Sequence, residues 1–253
     1  MSHPFAVKGQ NVFISGGTRG IGRAVGLHLA RSGANVVANY LRHIDAANEL
    51  EEIAVQESIS IKTIRADIAN PKGVEKIVEL ASGFENGLSG FIHCAATGVH
   101  RPFQEVTLRH FDFTYAVNVR AFFDLSQKLA PLMPKGSYIL ALSSAGAKRA
   151  VDQYSLTGSS KGALESLVRH MAAELAPKDI RVNCLAPGTM ATEAWKVLPH
   201  SEERLEHAAK QSPRERLTTF NEVAHTAHFL CSSASNGIIG QTIIVDNGCR
   251  IME

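Results

Sequence analysis

Val12-Phe13-Ile14-Ser15-Gly16-Gly17-Thr18-Arg19-Gly20-Ile21-Gly22 is the stretch on which the fold turns. Its first four residues form a short apolar run that reads as a buried strand, and the residues that follow carry glycine at 16, 20 and 22. Glycines so placed permit a tight turn and a close approach of backbone to a pyrophosphate. The N-terminus of the next helix, expected from Ile21, then holds that group electrostatically. The spacing is G-x-x-x-G-x-G, not the commoner G-x-G-x-x-G, and a glycine turn alone also serves purely structural ends. It gains meaning from standing directly after the first strand of a βαβ unit. Gly16, Thr18, Arg19, Gly20, Ile21 and Gly22 are therefore candidate contacts for a dinucleotide.

Outward from this loop, short apolar runs alternate with helical patterns. Strands are expected at Val12–Ser15, Asn35–Asn39, Ser60–Arg65, Gly90–Ala95, Ser137–Leu142, Arg181–Leu185 and Thr242–Val245. Several are apolar over four or more consecutive residues, as in strands buried on both faces. Helices are expected at Ile21–Ser32, Asp45–Gln56, Pro71–Phe84, Leu108–Met133, Tyr154–Ala176 and Phe220–Ser232. The alternation predicts an α/β fold, a doubly wound parallel sheet of about seven strands with helices on both faces. No linker or internal repeat divides the chain, so residues 1–253 read as a single domain. The segment 188–219, rich in charge and carrying Pro199 and Pro213, reads as a substrate lid.

Composition narrows the partners. Twenty-six Lys plus Arg against twenty-four Asp plus Glu leave a net charge of +2, which gives no field for nucleic acid or an anionic membrane. No run of eighteen apolar residues occurs, and the N-terminal residues lack the apolar core of an export signal. Cys94, Cys184, Cys231 and Cys249 have no CxxC spacing and read as reduced thiols in a cytoplasmic protein.

Cofactor choice is read at the end of the second strand, Val36-Val37-Ala38-Asn39-Tyr40-Leu41-Arg42. An NAD site would place a carboxylate there to accept from the ribose 2′-hydroxyl. Asn39 stands in its place, with Tyr40 and Arg42 beside it and Arg19 in the glycine loop. Two cations without a carboxylate fit a 2′-phosphate and favour NADPH.

Tyr154 stands seven residues before Lys161 in Tyr154-Ser155-Leu156-Thr157-Gly158-Ser159-Ser160-Lys161. In a helix, i and i+7 share a face roughly 10.5 Å apart, whereas i and i+4 lie only about 6 Å apart. The shorter spacing suits an acid beside a carbonyl carbon that receives hydride. The longer spacing sets the phenol a turn further back, which suits a carbonyl oxygen two carbons beyond the hydride acceptor, as in an α,β-unsaturated thioester. Taken alone, the pair reads as a packed tyrosine and a solvated lysine; its surroundings change that.

Over essentially its whole length the chain resembles the short-chain dehydrogenase/reductases, single-domain Rossmann-fold enzymes. Asp67-Ile68 matches the family's adenine-contacting pair, Asn118 in Val117-Asn118-Val119 its helix asparagine, and Ser144, seventeen residues before Lys161, its active-site serine. Pro187-Gly188-Thr189-Met190-Ala191-Thr192 resembles the segment lining the nicotinamide, and Gly240–Asp246 the last strand. Two departures are informative. The family's Tyr-x-x-x-Lys would put tyrosine at 157, where this chain has Thr157, and an aliphatic hydroxyl is too weak an acid to replace a phenol. Its Asn-Asn-Ala-Gly is here His93-Cys94-Ala95-Ala96. Both are similar to the bacterial enoyl-acyl-carrier-protein reductases with Tyr-x6-Lys. The run Ala95-Ala96-Thr97-Gly98-Val99-His100-Arg101-Pro102 and Ser144, where many of them carry a further tyrosine, resemble their NADPH-dependent third type.

This resemblance implies NADPH-dependent reduction of a trans-2-enoyl thioester, on acyl carrier protein or coenzyme A, in fatty-acid or related acyl metabolism. Tyr154 and Lys161, with Ser144 and Asn118, are the implied catalytic set. Ala95, Lys161, Pro187, Gly188 and Thr192 join the cofactor site. A short-chain carbonyl reductase and an NADPH-binding regulatory protein with a decayed active site are the alternatives. Phe111, Phe113, Phe122, Phe123, Leu164, Leu167 and Met171 spread over more than one face of two long helices, and by resemblance these helices would build a homotetramer. Lys196, Arg204, Lys210, Arg214 and Arg216 give the lid five cations, read either as a docking face for an acidic carrier or as a solvated charged surface. Glu222-x-x-His225 reads as solvent-facing in preference to a metal ligand pair, and His93 as a core histidine.

Overall fold

The computed structural model describes residues 3–192 and 201–252. Seven strands form one sheet: β1 (Asn11–Ser15), β2 (Asn35–Tyr40), β3 (Ile61–Arg65), β4 (Gly90–His93), β5 (Tyr138–Leu142), β6 (Arg181–Pro187) and β7 (Thr242–Val245). Their order is β3-β2-β1-β4-β5-β6-β7, and every neighbouring pair is parallel. This is the Rossmann-like doubly wound sheet that the strand and helix alternation predicts.

The strands are connected by α1 (Gly20–Arg31), α2 (Ile44–Gln56), α3 (Pro71–Ser82), α4 (Leu108–Tyr115), α5 (Ala121–Leu129), α6 (Ser155–Leu175), α7 (Ser201–Lys210) and α8 (Phe220–Cys231). β1, β5 and β6 are buried along their whole length, because helices cover both faces. Period-two alternation divides the core between those faces. Val12 and Ile14 pack with Val25, Leu29, Leu50 and Leu230 toward α1, α2 and α8. Phe13, Phe91, Phe122, Leu125 and Leu164 form the opposite core under α3, α5 and α6. The edge strand β3 keeps Ile61 and Ile64 inside while Lys62 and Arg65 are exposed.

Three departures from the sequence reading concern the site. β4 stops at His93 instead of Ala95, which frees Cys94 and Ala95 to line the crevice beyond the strands. The expected helix Leu108–Met133 is interrupted by a π turn at Ala116–Arg120, with Asn118 at its centre and fully buried. The expected lid contains α7, and Lys196 lies outside the described residues. The four cysteines are free, and no described helix is long and apolar enough to cross a membrane.

Candidate active site

β1 and β4 are neighbours although two strands, β2 and β3, separate them in the chain's winding, so the connections leave this point in opposite directions. A crevice opens there beyond the strands' carboxyl ends, where α/β sheets hold their ligands. The glycine loop occupies its floor. Gly16 has φ +65°, and a Cβ there would stand 2.8 Å from the Cα of Ala95; at Gly22 it would strike the Gly16 carbonyl. The cradle thus excludes side chains on both sides. Arg19 precedes α1 without capping it, which leaves the first N–H groups of the helix to an anion. Thr18 is buried within the loop, and the Gly17 N–H donates to the Asn39 carbonyl at 2.9 Å. These features fit a dinucleotide pyrophosphate.

At the end of β2 the structure assigns the parts differently. Asn39 is buried, and its amide donates to the carbonyls of Ala66 at 2.9 Å and Ile64 at 3.3 Å. Its side chain is committed to fastening β2 to the end of β3. Tyr40 is half-buried, while Arg42 and Arg19 are exposed and form no ion pair among the described residues. Asp67 accepts from the Ala69 N–H at 3.0 Å, shaping the turn that buries Ile68. Pro187 closes β6, the Gly188 N–H donates to Val245 at 2.8 Å, and the Thr192 N–H to Met190 at 2.8 Å.

Tyr154 is the residue immediately before α6, and its carbonyl accepts the N–H of Gly158 at 2.7 Å. Its ring lies against Gly146 and Gly158, with the His100 ring at 5.2 Å between centroids on another side. Burial raises the phenol's pKa above the ordinary tyrosine value, opposed only by the nearby Ser144 hydroxyl. The phenol stays protonated and able to donate. The Ser144 hydroxyl completes no hydrogen bond of its own. Thr157, at the family's tyrosine position, is buried, and its hydroxyl packs where a side chain on residue 98 would stand. That hydroxyl is sealed into the protein without a hydrogen-bond partner.

Lys161 is 4% exposed, and its ammonium donates to the Leu142 carbonyl at 2.6 Å. Burial depresses its pKa to about 8, while the Cys184 and Cys94 sulfurs work in the opposite direction. Burial in turn pushes both thiols up to about 12, so they remain neutral. Asn118 is entirely committed: its amide donates to Thr97 O and Ser160 Oγ, both at 2.9 Å, and its oxygen accepts Thr97 N–H at 2.8 Å. It clamps the loop after β4 to α6.

Some functional neighbours were not signalled by motif. Glu165, one turn beyond Lys161, is buried, accepts from Ser143 at 2.6 Å and pairs with Lys148 at 3.2 Å. It fixes the loop that carries Ser144. His93 is a core histidine as read; its Nδ1 lies 2.8 Å from Ser15 Oγ, and burial drops its pKa to about 3. Glu222 pairs with Arg216 and completes a capping box with Thr219, which burdens it with structural bonds and not a metal. His28 of α1 packs against His225 and His228 of α8, its Nε2 3.0 Å from His228 Nδ1. Among the described residues no cluster could hold a metal ion.

A cavity of about 620 Å³ opens beside Tyr154, walled by Arg101, Phe103, Gly146, Arg149 and Ser159. The described lid cations have acidic partners at the surface: Arg204 lies 3.9 Å from Asp152 at the cavity, Lys210 pairs with Glu206, and Arg214 and Arg216 with Glu222.

Residues 16–250 match the family described as Enoyl-(Acyl carrier protein) reductase. The chain is 34% identical to 1-cyclohexenylcarbonyl-CoA reductase of Streptomyces collinus, over 94% of this chain and 86% of that protein. It is 32% identical to 7alpha-hydroxysteroid dehydrogenase of Escherichia coli, over 95% and 94%. A short-chain dehydrogenase of Burkholderia cenocepacia solved in complex with NADP superposes with a TM-score of 0.87 at 27% identity, covering 97% of this chain and 99% of that one. The glycine cradle, Tyr154 and Lys161 at the start of α6 and this similarity along the whole chain agree: it is an oxidoreductase and belongs to the short-chain dehydrogenase/reductase family.

Proposed function

We propose that the chain reduces the 2,3 double bond of a trans-2-enoyl thioester with NADPH. The observation that carries this reading is the position of the phenol. Tyr154 lines the cavity a turn before Thr157 and stays protonated, whereas the hydroxyl at 157 is sealed against Gly98. NADPH, when bound, supplies hydride to the β-carbon. Tyr154 donates a hydrogen bond to the thioester carbonyl, where negative charge grows as the enolate forms. Lys161 contributes the positive field and keeps N–H donors beyond the one given to Leu142 for the nicotinamide ribose hydroxyls. Glu165 and Asn118 hold the two loops that flank this site. Arg19 and Arg42, without carboxylate partners among the described residues, suit the 2′-phosphate of NADPH. The similarity to a reductase of a coenzyme A thioester supports the substrate class. α7 borders the cavity through Arg204, 3.9 Å from Asp152, where it would cover the bound acyl chain.

One observation favours a second reading, carbonyl reduction: Ser144 and Tyr154 bring two hydroxyls to one point, and the similarity to a hydroxysteroid dehydrogenase agrees. Purified protein assayed with NADPH and either crotonyl or acetoacetyl thioester separates the two. Turnover of the crotonyl thioester is expected. Oxidation of NADPH by the acetoacetyl thioester alone would replace the enoyl reading with the carbonyl one.

A further inference from the structure

We propose that Gln153 is a positioning residue whose left-handed backbone aims Tyr154 into the cavity, an inference that rests on the reading of Tyr154 as hydrogen-bond donor above. Gln153 has φ +54°. Residues other than glycine seldom take that sign, because Cβ crowds the following carbonyl oxygen, and asparagine bears it best among them. Ser58 and Asp179 share it where helical segments end, its ordinary use. Gln153 has it where a helix begins, one residue ahead of the phenol that lines the cavity.

The peptide unit between Gln153 and Tyr154 is held at both of its polar ends. Its carbonyl accepts the Arg101 N–H at 3.3 Å, and its own N–H donates to the Val151 carbonyl at 3.3 Å. The second bond closes a turn over residues 151–154 with Gln153 in third place, where type I′ and type II turns require a positive φ. The Tyr154 ring rests against Gly146 and Gly158, so tightly that a Cβ on residue 146 would stand 2.6 Å from it. The segment carrying Gly146 is itself tied to Glu165 at both ends, by Ser143 at 2.6 Å and Lys148 at 3.2 Å. The ring therefore cannot follow a changed backbone. A negative φ at 153 would pull the peptide from its two partners and the phenol from the cavity wall. Gln153 also lines the cavity, and the test separates its backbone from its amide.

The test is a series at position 153, read by turnover of crotonyl thioester with NADPH. Gln153→Gly is the conservative change for this backbone, and Gln153→Ala keeps the Cβ that the turn already bears. Both delete the amide and should retain kcat within about twofold, with Gly the more stable of the two in urea. Gln153→Val, β-branched and an outlier at positive φ, should lower kcat by about tenfold to a hundredfold while the Kd for NADPH holds. Should Val not fold, Arg101→Pro removes the N–H that steadies the Gln153 carbonyl and should fall below Arg101→Ala, which keeps it. A folded Val variant with unchanged kcat overturns the proposal, as does equality of the two Arg101 variants where Val does not fold. Losses in Gly and Ala as large as in Val also overturn it, because the amide would then be the working group. 3-Fluorotyrosine at position 154 reads the ring without turnover: its fluorine resonance should stay in place in Gly and Ala and move in Val. If the unaltered protein reduces no crotonyl thioester, the reductase reading falls and the fluorine series still decides the role of Gln153.

Discussion

Tyr154 and Thr157 are hydroxyl-bearing side chains one turn apart, and their surroundings give them opposite prospects. Tyr154→Phe should lower kcat by 10²–10³, about 2.7–4 kcal/mol, as for loss of one oxyanion donor, with little change in the Kd for NADPH. Thr157→Val removes a buried hydroxyl without a partner; it should leave turnover nearly intact and stabilise the fold by about 1 kcal/mol. A severe loss of activity in Thr157→Val would move the chemistry to position 157. Lys161 presents a stability question. Its folded pKa of about 8 lies below the ordinary 10.5, so between those values the unfolded chain holds more protons. Stability therefore rises with pH across that window, and below pH 8 the buried ammonium costs about 3 kcal/mol. Lys161→Met forfeits the bond to Leu142, worth about 1 kcal/mol. It should still leave the cofactor-free protein more stable at pH 7 while abolishing turnover. Denaturant titrations at pH 7 and above pH 10 check this, the gain shrinking at the higher pH. Arg42→Ala should reduce kcat/KM more with NADPH than with NADH, since only the former has a 2′-phosphate to lose; equal losses would remove Arg42 from the cofactor site.

Among the elements, the π turn between α4 and α5 is the one whose irregularity serves the site. A π turn inserts one residue into a helix and often marks a functional position. Here it buries Asn118 where its amide can grip Thr97 and Ser160 at once. Asn118→Ala deletes three hydrogen bonds of about 1 kcal/mol net each, so unfolding in urea should show a loss near 3 kcal/mol. Because Thr97 belongs to the loop that continues to His100 and Arg101, kcat/KM should fall more than stability alone explains, with the fold retained by circular dichroism. The motif Val-Asn-Val was legible in the sequence, but the π turn was not. A helix of apolar periodicity looks continuous, and one inserted residue is settled by what lies across from it.

On the scale of the whole molecule, α4 and α5 carry an apolar face that no described residue covers. Leu108 is 82% exposed, and Phe111, Phe113 and Phe123 lie outside the core that claims Phe122. Such a patch marks an interface. We propose that copies of the chain associate through it, as in a homotetramer. Sedimentation at micromolar concentration should show the oligomer, and Phe113→Ser with Phe123→Ser should weaken it; a monomeric unaltered protein contradicts the expectation.

The sequence by itself determined the strand and helix order, the parallel sheet and the glycine turn after β1. These follow from local periodicity and from residue types whose chemistry narrows their use. Only the tertiary structure decided which hydroxyl faces the cavity, that Asn39 spends its amide on β3, and that Glu165 holds the Ser144 loop. It also decided that Glu222 is occupied by Arg216 and that His28 joins His225 and His228. The reason is common to all of them. A side chain's hydrogen-bonding capacity is shared among every group that packing brings within about 3 Å. Those groups come from distant parts of the chain, and no local pattern records them.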